Sequence, residues 1–570
     1  MQHDFFNILR YPNLMSDPLW LKNYPEDIDW NAAIPCHPLH ELLQNTAEKY
    51  PDSPAFDFLG KKYDWQTLHQ MACNLAADLQ ALGARKGIKI GIFLPNTPSY
   101  LVSYYAIAMT GATIVNYNPL YPVKELSYQI EDSETDILIT ADLSLLYDKA
   151  IDCLHNTRLN TLIVGKFANV LPFPKNLLFP LIKGKDLSKV KYNDRILSYD
   201  DMVNSGGKIK DPEIDPKEDI ALLQYTGGTT GLPKGAMLTH QNVVANAEQG
   251  SRWCRSFKPG EEQMLGILPF FHVFAMTAVM NLSIRNALEI IALPRFDLED
   301  TIKLIDKKKP DYMMAVPAIF NAINRHPKIK EYDLKSLKFC ISGGAPLPME
   351  IKRNFEDKTG CTVVEGYGLT ESSPITHVGP LYQEGRTGSI GLVMPQTQIK
   401  LVDPETGEDV TDKKERGELC IKGPQVMKGY WNKPEATEKT LKDGWLHTGD
   451  IATLDEDGYT YIVDRLKDMI ITNGYNVYPR NVEEAIYLHP SVEECIVAGI
   501  PDEDRGELVK VWVKCKDGRD LAAEDLKEFL KEHLSPMEIP RAYEFRNEPL
   551  PKTLIGKLSR KDVLEQENTA

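Results

Sequence analysis

The sequence predicts an α/β protein in two unequal parts. A large N-terminal domain spans 1–463, with its core at 30–463. A charged hinge segment at 464–468 follows, and then a small α+β C-terminal domain over 469–570. Three observations predict this. Strand and helix patterns alternate from residue 89 onward, which argues for βαβ units and mostly parallel sheets. Turn-rich β sequence at 417–423 and 457–460 interrupts that rhythm and forms the expected small β-barrel-like part. A charged run, Asp464-Arg465-Leu466-Lys467-Asp468, then opens a stretch with strands and helices of its own. A chain of 570 residues also exceeds one ordinary core.

In chain order, residues 1–50 mix Pro, Trp and Tyr with short helical signals and read as an arm on the body. Strands are expected at 89–94, 112–115 and 137–139, with helices at 99–108 and 123–131 between them. The apolar run 220–223 reads as a buried strand. Further strands are expected at 264–268, 290–293, 312–316 and 339–342. Past the hinge come a helix at 479–488, strands at 494–497 and 509–513, a helix at 522–532 and a strand at 543–545. Residues 170–182 are apolar and broken by Pro172, Pro174 and Pro180, and Lys183, Lys185, Lys189 and Lys191 follow. Such a mix could rest on an anionic membrane surface. A packed insertion with a solvated basic edge is the expectation.

A net charge of −16, from 81 acids and 65 bases, argues against a nucleic-acid partner. Nine scattered cysteines without a Cys-x-x-Cys pair fit a reducing compartment, with neither a disulfide framework nor a zinc knuckle. The start Met1-Gln2-His3-Asp4-Phe5 has no signal-peptide pattern. No run approaches the ~18 apolar residues of a membrane span. A cytoplasmic location is expected, with peripheral contact at the inner membrane face as its extension. The oligomeric state stays open, a homodimer included.

The stretch Tyr225-Thr226-Gly227-Gly228-Thr229-Thr230-Gly231-Leu232-Pro233-Lys234-Gly235 follows the 220–223 strand. Its glycines let backbone N–H groups approach an anion, its threonines add hydroxyl donors, and Lys234 adds a mobile positive charge. It is a phosphate cradle without the Gly-Lys-Ser/Thr ending of a P-loop. In Glu365-Gly366-Tyr367-Gly368-Leu369-Thr370-Glu371, Tyr367 can stack on a purine and Glu371 can hold Mg²⁺ on a nucleotide phosphate. In Gly444-Trp445-Leu446-His447-Thr448-Gly449-Asp450, the final acid suits two ribose hydroxyls, which need an acceptor-only group. Taken alone, Lys557 in Pro551-Lys552-Thr553-Leu554-Ile555-Gly556-Lys557 reads as a solvated surface lysine.

Together these motifs, in this order, resemble the acyl-adenylate-forming superfamily of acyl-CoA synthetases, luciferases and peptide-synthetase adenylation domains, over roughly residues 30–565. The resemblance implies ATP-dependent conversion of a carboxylate to acyl-AMP, with CoA as the second co-substrate. It implies that Lys557, Glu371 and Thr226 are catalytic, with Mg²⁺ held by Thr226 and Glu371. It places ATP and AMP against the 226–231 loop, Lys234, Gly344, Ala345, Glu365, Gly366, Tyr367, Gly368, Thr370, Asp450, Ile462, Arg465 and Lys557. It makes Lys467 the hinge and assigns Gly474 and Tyr475 to the thioester step.

The stretch 268–276 resembles the family's carboxylate pocket. His272, Phe274, Met276 and Val279 are its expected walls, together with the glycine pair Gly343 and Gly344. A lone histidine is more often structural, and Met276 occupies a place where some long-chain relatives carry an aromatic gate. No acid is evident to receive an amino group. The chain resembles long-chain fatty-acid–CoA ligases most. The rivals are an aryl-acid ligase of 4-coumarate type, a carrier-protein loader, a luciferase-like oxygenase and a non-catalytic nucleotide or acyl-CoA sensor.

Overall fold

The computed structural model describes residues 18–226, 233–413, 415–473, 475–502, 505–553 and 558–569. Two large sheets build the N-terminal part. In the eight-stranded sheet, Ile220–Thr226, Thr113–Asn116, Lys89–Ile92, Ile137–Ala141, Thr161–Gly165 and Ile196–Ser198 lie side by side and parallel. Lys234–Thr239 and Gly429–Tyr430 extend one edge antiparallel. The central strands are buried along their whole length, so they read as unbroken apolar runs rather than alternating ones.

The nine-stranded sheet is parallel from Thr362–Gly368 through Phe339–Ser342, Tyr312–Ala315, Gln263–Gly266 and Glu289–Ala292 to Pro54–Phe58. Its two ends turn antiparallel, at Lys61–Asp64 on one side and Ile375–Val378 with Leu392–Val393 on the other. The crossover helices start where the sequence supplies caps. Asp64 accepts the Thr67 N–H, and Thr97 accepts the Tyr100 N–H ahead of Pro98 at the first helical position. Thr239 and Asn242 form a reciprocal capping box.

The small β part is an antiparallel sheet of Gln398–Val402, Gly417–Lys422, Trp445–Leu454, Leu441–Lys442 and Thr460–Arg465. One apolar core runs from Trp20 to Tyr459. The arm joins it through the Tyr24 hydroxyl on the Val393 carbonyl and the Trp30 indole on the Thr397 carbonyl. Separate clusters begin at Ile470, on the two faces of a sheet built around Val492–Asp502 and Gly506–Cys515. Alternate residues of those strands serve opposite faces: Cys495 and Val497 one, Ile496 and Ala498 the other. All nine cysteines are free. No helix among the described residues is long and apolar enough to cross a membrane.

One expectation is corrected. The packed insertion expected at 170–182 holds at its start, where Leu171 is buried in the core, but not at 175–182, which form a helix, Lys175–Ile182, with no buried residue and with Phe179 turned onto Phe167 at 5.3 Å between ring centroids. Pro172 and Pro174 fix the entry to the helix and Pro180 removes a donor near its end, so it stays too short to wrap the body.

Candidate active site

A cleft of about 2630 Å³ opens between the ends of the two large sheets, the small β sheet and the C-terminal part. Of the residues singled out in the sequence, Thr226, Lys234, His272, Phe274, Gly343, Gly344, Ala345, Glu365, Gly366, Tyr367, Gly368, Thr370, Glu371, Asp450, Ile462, Arg465 and Lys467 line it. Gly227, Gly228, Thr229, Thr230, Gly231, Gly474 and Lys557 lie outside the described residues. The neighbours of Lys557 at Thr553 and Leu558 do line the cleft.

Thr226 and Lys234, the described residues nearest to the 227–232 glycine-rich stretch in the two strands, pair across an antiparallel ladder. Lys234 Nζ lies 4.4 Å over the Tyr430 ring, and the Tyr430 hydroxyl donates to Glu371 Oε1 at 2.6 Å. Tyr430 thus ties the loop's lysine to the candidate metal carboxylate. Sequence reasoning missed it, because a tyrosine in Lys428-Gly429-Tyr430-Trp431 carries no phosphate or metal pattern; the only signal was its place after a glycine.

At the opposite side, the Tyr367 hydroxyl donates to Asp450 Oδ2 and Arg465 Nε pairs with Asp450 Oδ1 at 3.2 Å. An ionised carboxylate has about four acceptor sites, so Asp450 keeps room for ribose hydroxyls. Glu418 supports its strand: it accepts the Gly449 N–H at 3.0 Å and holds His447 Nδ1 at 2.7 Å, with the Cys420 thiol 3.4 Å from the same nitrogen. Gly368 is required sterically, since a Cβ there would sit 1.9 Å from the Pro374 carbonyl oxygen. Gly344 adopts φ +79°, a region that favours glycine. The Glu365 carboxyl accepts the Leu347 N–H, and burial pushes it up to about 7.

The acyl side departs from expectation in two residues. Met276 and Val279 are buried in the core and do not line the cleft. The Met276 sulfur instead lies 3.6 Å from the Asn116 amide. The stretch Met276–Asn281 is a π-helix, whose wider turn leaves Phe274 and Ala278 facing the cleft. His272 caps the short helix Val273–Ala275 just before it by accepting the Phe274 N–H at 3.3 Å, a structural duty beside its place on the wall. Val316, Ile341 and Ile375 complete an apolar lining. A Cβ on Gly343 would meet the Phe274 ring at 2.9 Å, so the glycine makes room for that ring.

From the C-terminal part, Arg480, Lys552 and Arg560 reach the cleft. Arg560 pairs with Glu483 at 2.7 Å and Asp468 at 3.1 Å, and Asp464 accepts the Arg480 N–H at 2.6 Å. The last of these contacts ties the 464–468 segment to the C-terminal part. Burial and the neighbouring Arg465 lower the Lys467 pKa. Tyr475 is exposed and lies outside the cleft.

Residues 43–431 match the family described as AMP-binding enzyme, and residues 481–557 match the AMP-binding enzyme C-terminal domain. The chain is 45% identical to the long-chain-fatty-acid–CoA ligase of Bacillus subtilis (strain 168), over 97% of this chain and 99% of that protein. It is 35% identical to the long-chain-fatty-acid–CoA ligase of Escherichia coli O157:H7, over 96% and 98%. ATP-bound MatB from Rhodopseudomonas palustris superposes with a TM-score of 0.80 at 28% identity, over 93% of this chain and 98% of that one.

Proposed function

The chain belongs to the AMP-binding enzyme family, and from that premise we propose that it is a long-chain fatty-acid–CoA ligase working in two ATP-driven steps. It activates a fatty acid to acyl-AMP with release of pyrophosphate, then passes the acyl group to CoA. The observation that carries this reading is a single cleft with Lys234 and Glu371 at one place, the Asp450–Arg465 pair at another and an apolar wall of Phe274, Ala278, Val316 and Ile341 beside them.

In the first step a carboxylate oxygen attacks the α-phosphorus, and the bond to the β,γ-phosphates breaks. Catalysis is positioning and charge neutralisation, because negative charge spreads over phosphate oxygens. Lys234 and the glycine- and threonine-rich stretch 226–231 take the leaving pyrophosphate. Asp450 takes the ribose, and the walls around Gly344, Ala345 and Tyr367 take adenine. Lys557 serves the carboxylate and α-phosphate. The donors on Glu371 and Thr226, hard oxygens facing a phosphate site, suit Mg²⁺, which would neutralise phosphate charge when bound.

In the second step the CoA sulfur attacks the acyl carbon, the C–O bond to AMP breaks, and the thiol proton is released. AMP is a good leaving group, so this step needs access more than acid–base help. We assign access to rotation of the C-terminal part about Lys467, which would carry the hairpin bearing Gly474 and Tyr475 into the cleft. We place the enzyme in the cytoplasm, with contact at the inner membrane face, where a long-chain acid partitions.

Pyrophosphate release across acetate, octanoate, palmitate, oleate and 4-coumarate, with and without CoA, tests the reading. A maximum on the long-chain acids with turnover dependent on CoA is expected. A maximum on 4-coumarate would transfer the pocket to aryl acids, and turnover indifferent to CoA would point to a carrier protein as acceptor.

A further inference from the structure

We propose that helix Lys175–Ile182, with Phe173 before it and the lysines after it, docks the protein on an anionic lipid bilayer. The inference goes beyond the ligase reading and does not depend on it. Surface helices normally turn their apolar stripe inward. Here the arrangement is reversed. Phe173 is 79% exposed, Leu177 61%, Leu181 80% and Ile182 72%. Leu177, Leu178, Leu181 and Ile182 recur at helical spacing, so they form one outward face, while Phe179 turns in onto Phe167 and holds the helix to the body. A contiguous exposed apolar face on a soluble surface marks an interaction site.

Charge selects the partner. The whole chain carries −16, yet residues 166–191 contain six lysines and a single acid, Asp186. Lys175 opens the helix and Lys183, Lys185, Lys189 and Lys191 follow it in the chain, all exposed. Exposed leucines flanked in sequence by exposed lysines match the acyl boundary and headgroups of an anionic leaflet. A second copy of the chain fits badly, because a two-fold contact through this face would set two lysine clusters against each other. The helix stands beside the 54–64 hairpin that ends the nine-stranded sheet: Lys175 reaches the Leu59 carbonyl and Lys61 the Asn169 carbonyl. None of the residues of this face lines the catalytic cleft.

The test is flotation of the full-length protein with phosphatidylcholine vesicles, with and without phosphatidylglycerol, at low and high salt. Wild type should float with the anionic vesicles at low salt, and high salt should weaken binding. Leu177→Ser/Leu181→Ser/Ile182→Ser and Lys183→Glu/Lys185→Glu should each lower the bound fraction about tenfold. The thermal unfolding midpoint, followed by circular dichroism, reports that the variants fold, and it should not change. Equal flotation by wild type and both variants would overturn the proposal, as would a wild type that stays with neither vesicle. A change of sedimentation in the apolar variant without a change in flotation would assign the face to a second copy instead. Vesicle binding is read without any turnover, so its failure is separate from failure of the ligase reading.

Discussion

Tyr430 holds two charged groups of the cleft in place at once, through its ring under Lys234 and its hydroxyl on Glu371. Tyr430→Phe keeps the ring and removes only the hydrogen bond. Partners that orient a metal-binding carboxylate are commonly worth ten- to a hundredfold in metal affinity or activity. The variant should therefore need about tenfold more Mg²⁺ for half-maximal pyrophosphate release. A drop in melting temperature with an unmoved Mg²⁺ midpoint would make Tyr430 a packing residue only. Glu365 gives a pH signature. Its folded pKa of about 7 stands above the ordinary 4.5. Between those values the folded chain keeps a proton that the unfolded chain has released. Stability from this group is therefore full below 4.5, falls as pH rises to 7 and is flat above, a loss of at most about 3 kcal/mol. Glu365→Gln should flatten that slope. The check is the difference in denaturant midpoint between wild type and variant from pH 5 to 7.5, and a difference independent of pH would remove the buried-carboxyl account.

At the scale of elements, the parallel strands were legible because burial on both faces leaves uninterrupted apolar runs such as 89–94 and 137–139. The motif residues were legible because glycine spacing records backbone demands, as at Gly368, where the Pro374 carbonyl leaves no room for a Cβ. Neither signal reaches the acyl wall. The π-helix at Met276–Asn281 has the same apolar composition as an α-helix, so the sequence could not say that Met276 and Val279 turn to the core while Ala278 faces the cleft. The 175–182 helix departs for a related reason: apolar composition predicts burial, and only the fold shows that no described residue covers Leu177, Leu181 and Ile182. Ala278 then carries a prediction that the sequence did not suggest. Ala278→Phe should fill part of the apolar space. Each methylene denied burial costs about 0.8 kcal/mol, so excluding about three of them should lower kcat/KM for palmitate roughly fiftyfold. Octanoate should change little. Equal loss on both acids would place the tail elsewhere.

On the proposed two-step reading, the C-terminal part would present two of its faces to one cleft in turn. In this arrangement the Lys552–Arg560 side faces in, and Tyr475 faces solvent. Contacts across the joint hold this pose: Asp464 on the Arg480 N–H, and Glu493 paired with Arg325 of the large part. The Arg325–Glu493 pair, whose arginine is exposed, contributes little in water and so opposes a change of pose only weakly. The proposed exchange would rotate the backbone within the short 3₁₀ turn Leu466–Asp468. Lys467→Pro tests that requirement. Proline fixes φ near −65°, which suits the 3₁₀ turn present here but blocks rotation away from it. The variant should therefore still make acyl-AMP, seen as one burst of pyrophosphate per enzyme, while CoA-dependent turnover falls by about a hundredfold or more, as expected when a lid motion is removed. Lys557→Ala should give the mirror image: little acyl-AMP from ATP and acid, but near-normal thioester formation from supplied acyl-AMP. If Lys467→Pro turned over normally with CoA, the thioester step would have to proceed in the pose seen here, and Tyr475 would lose its assigned role.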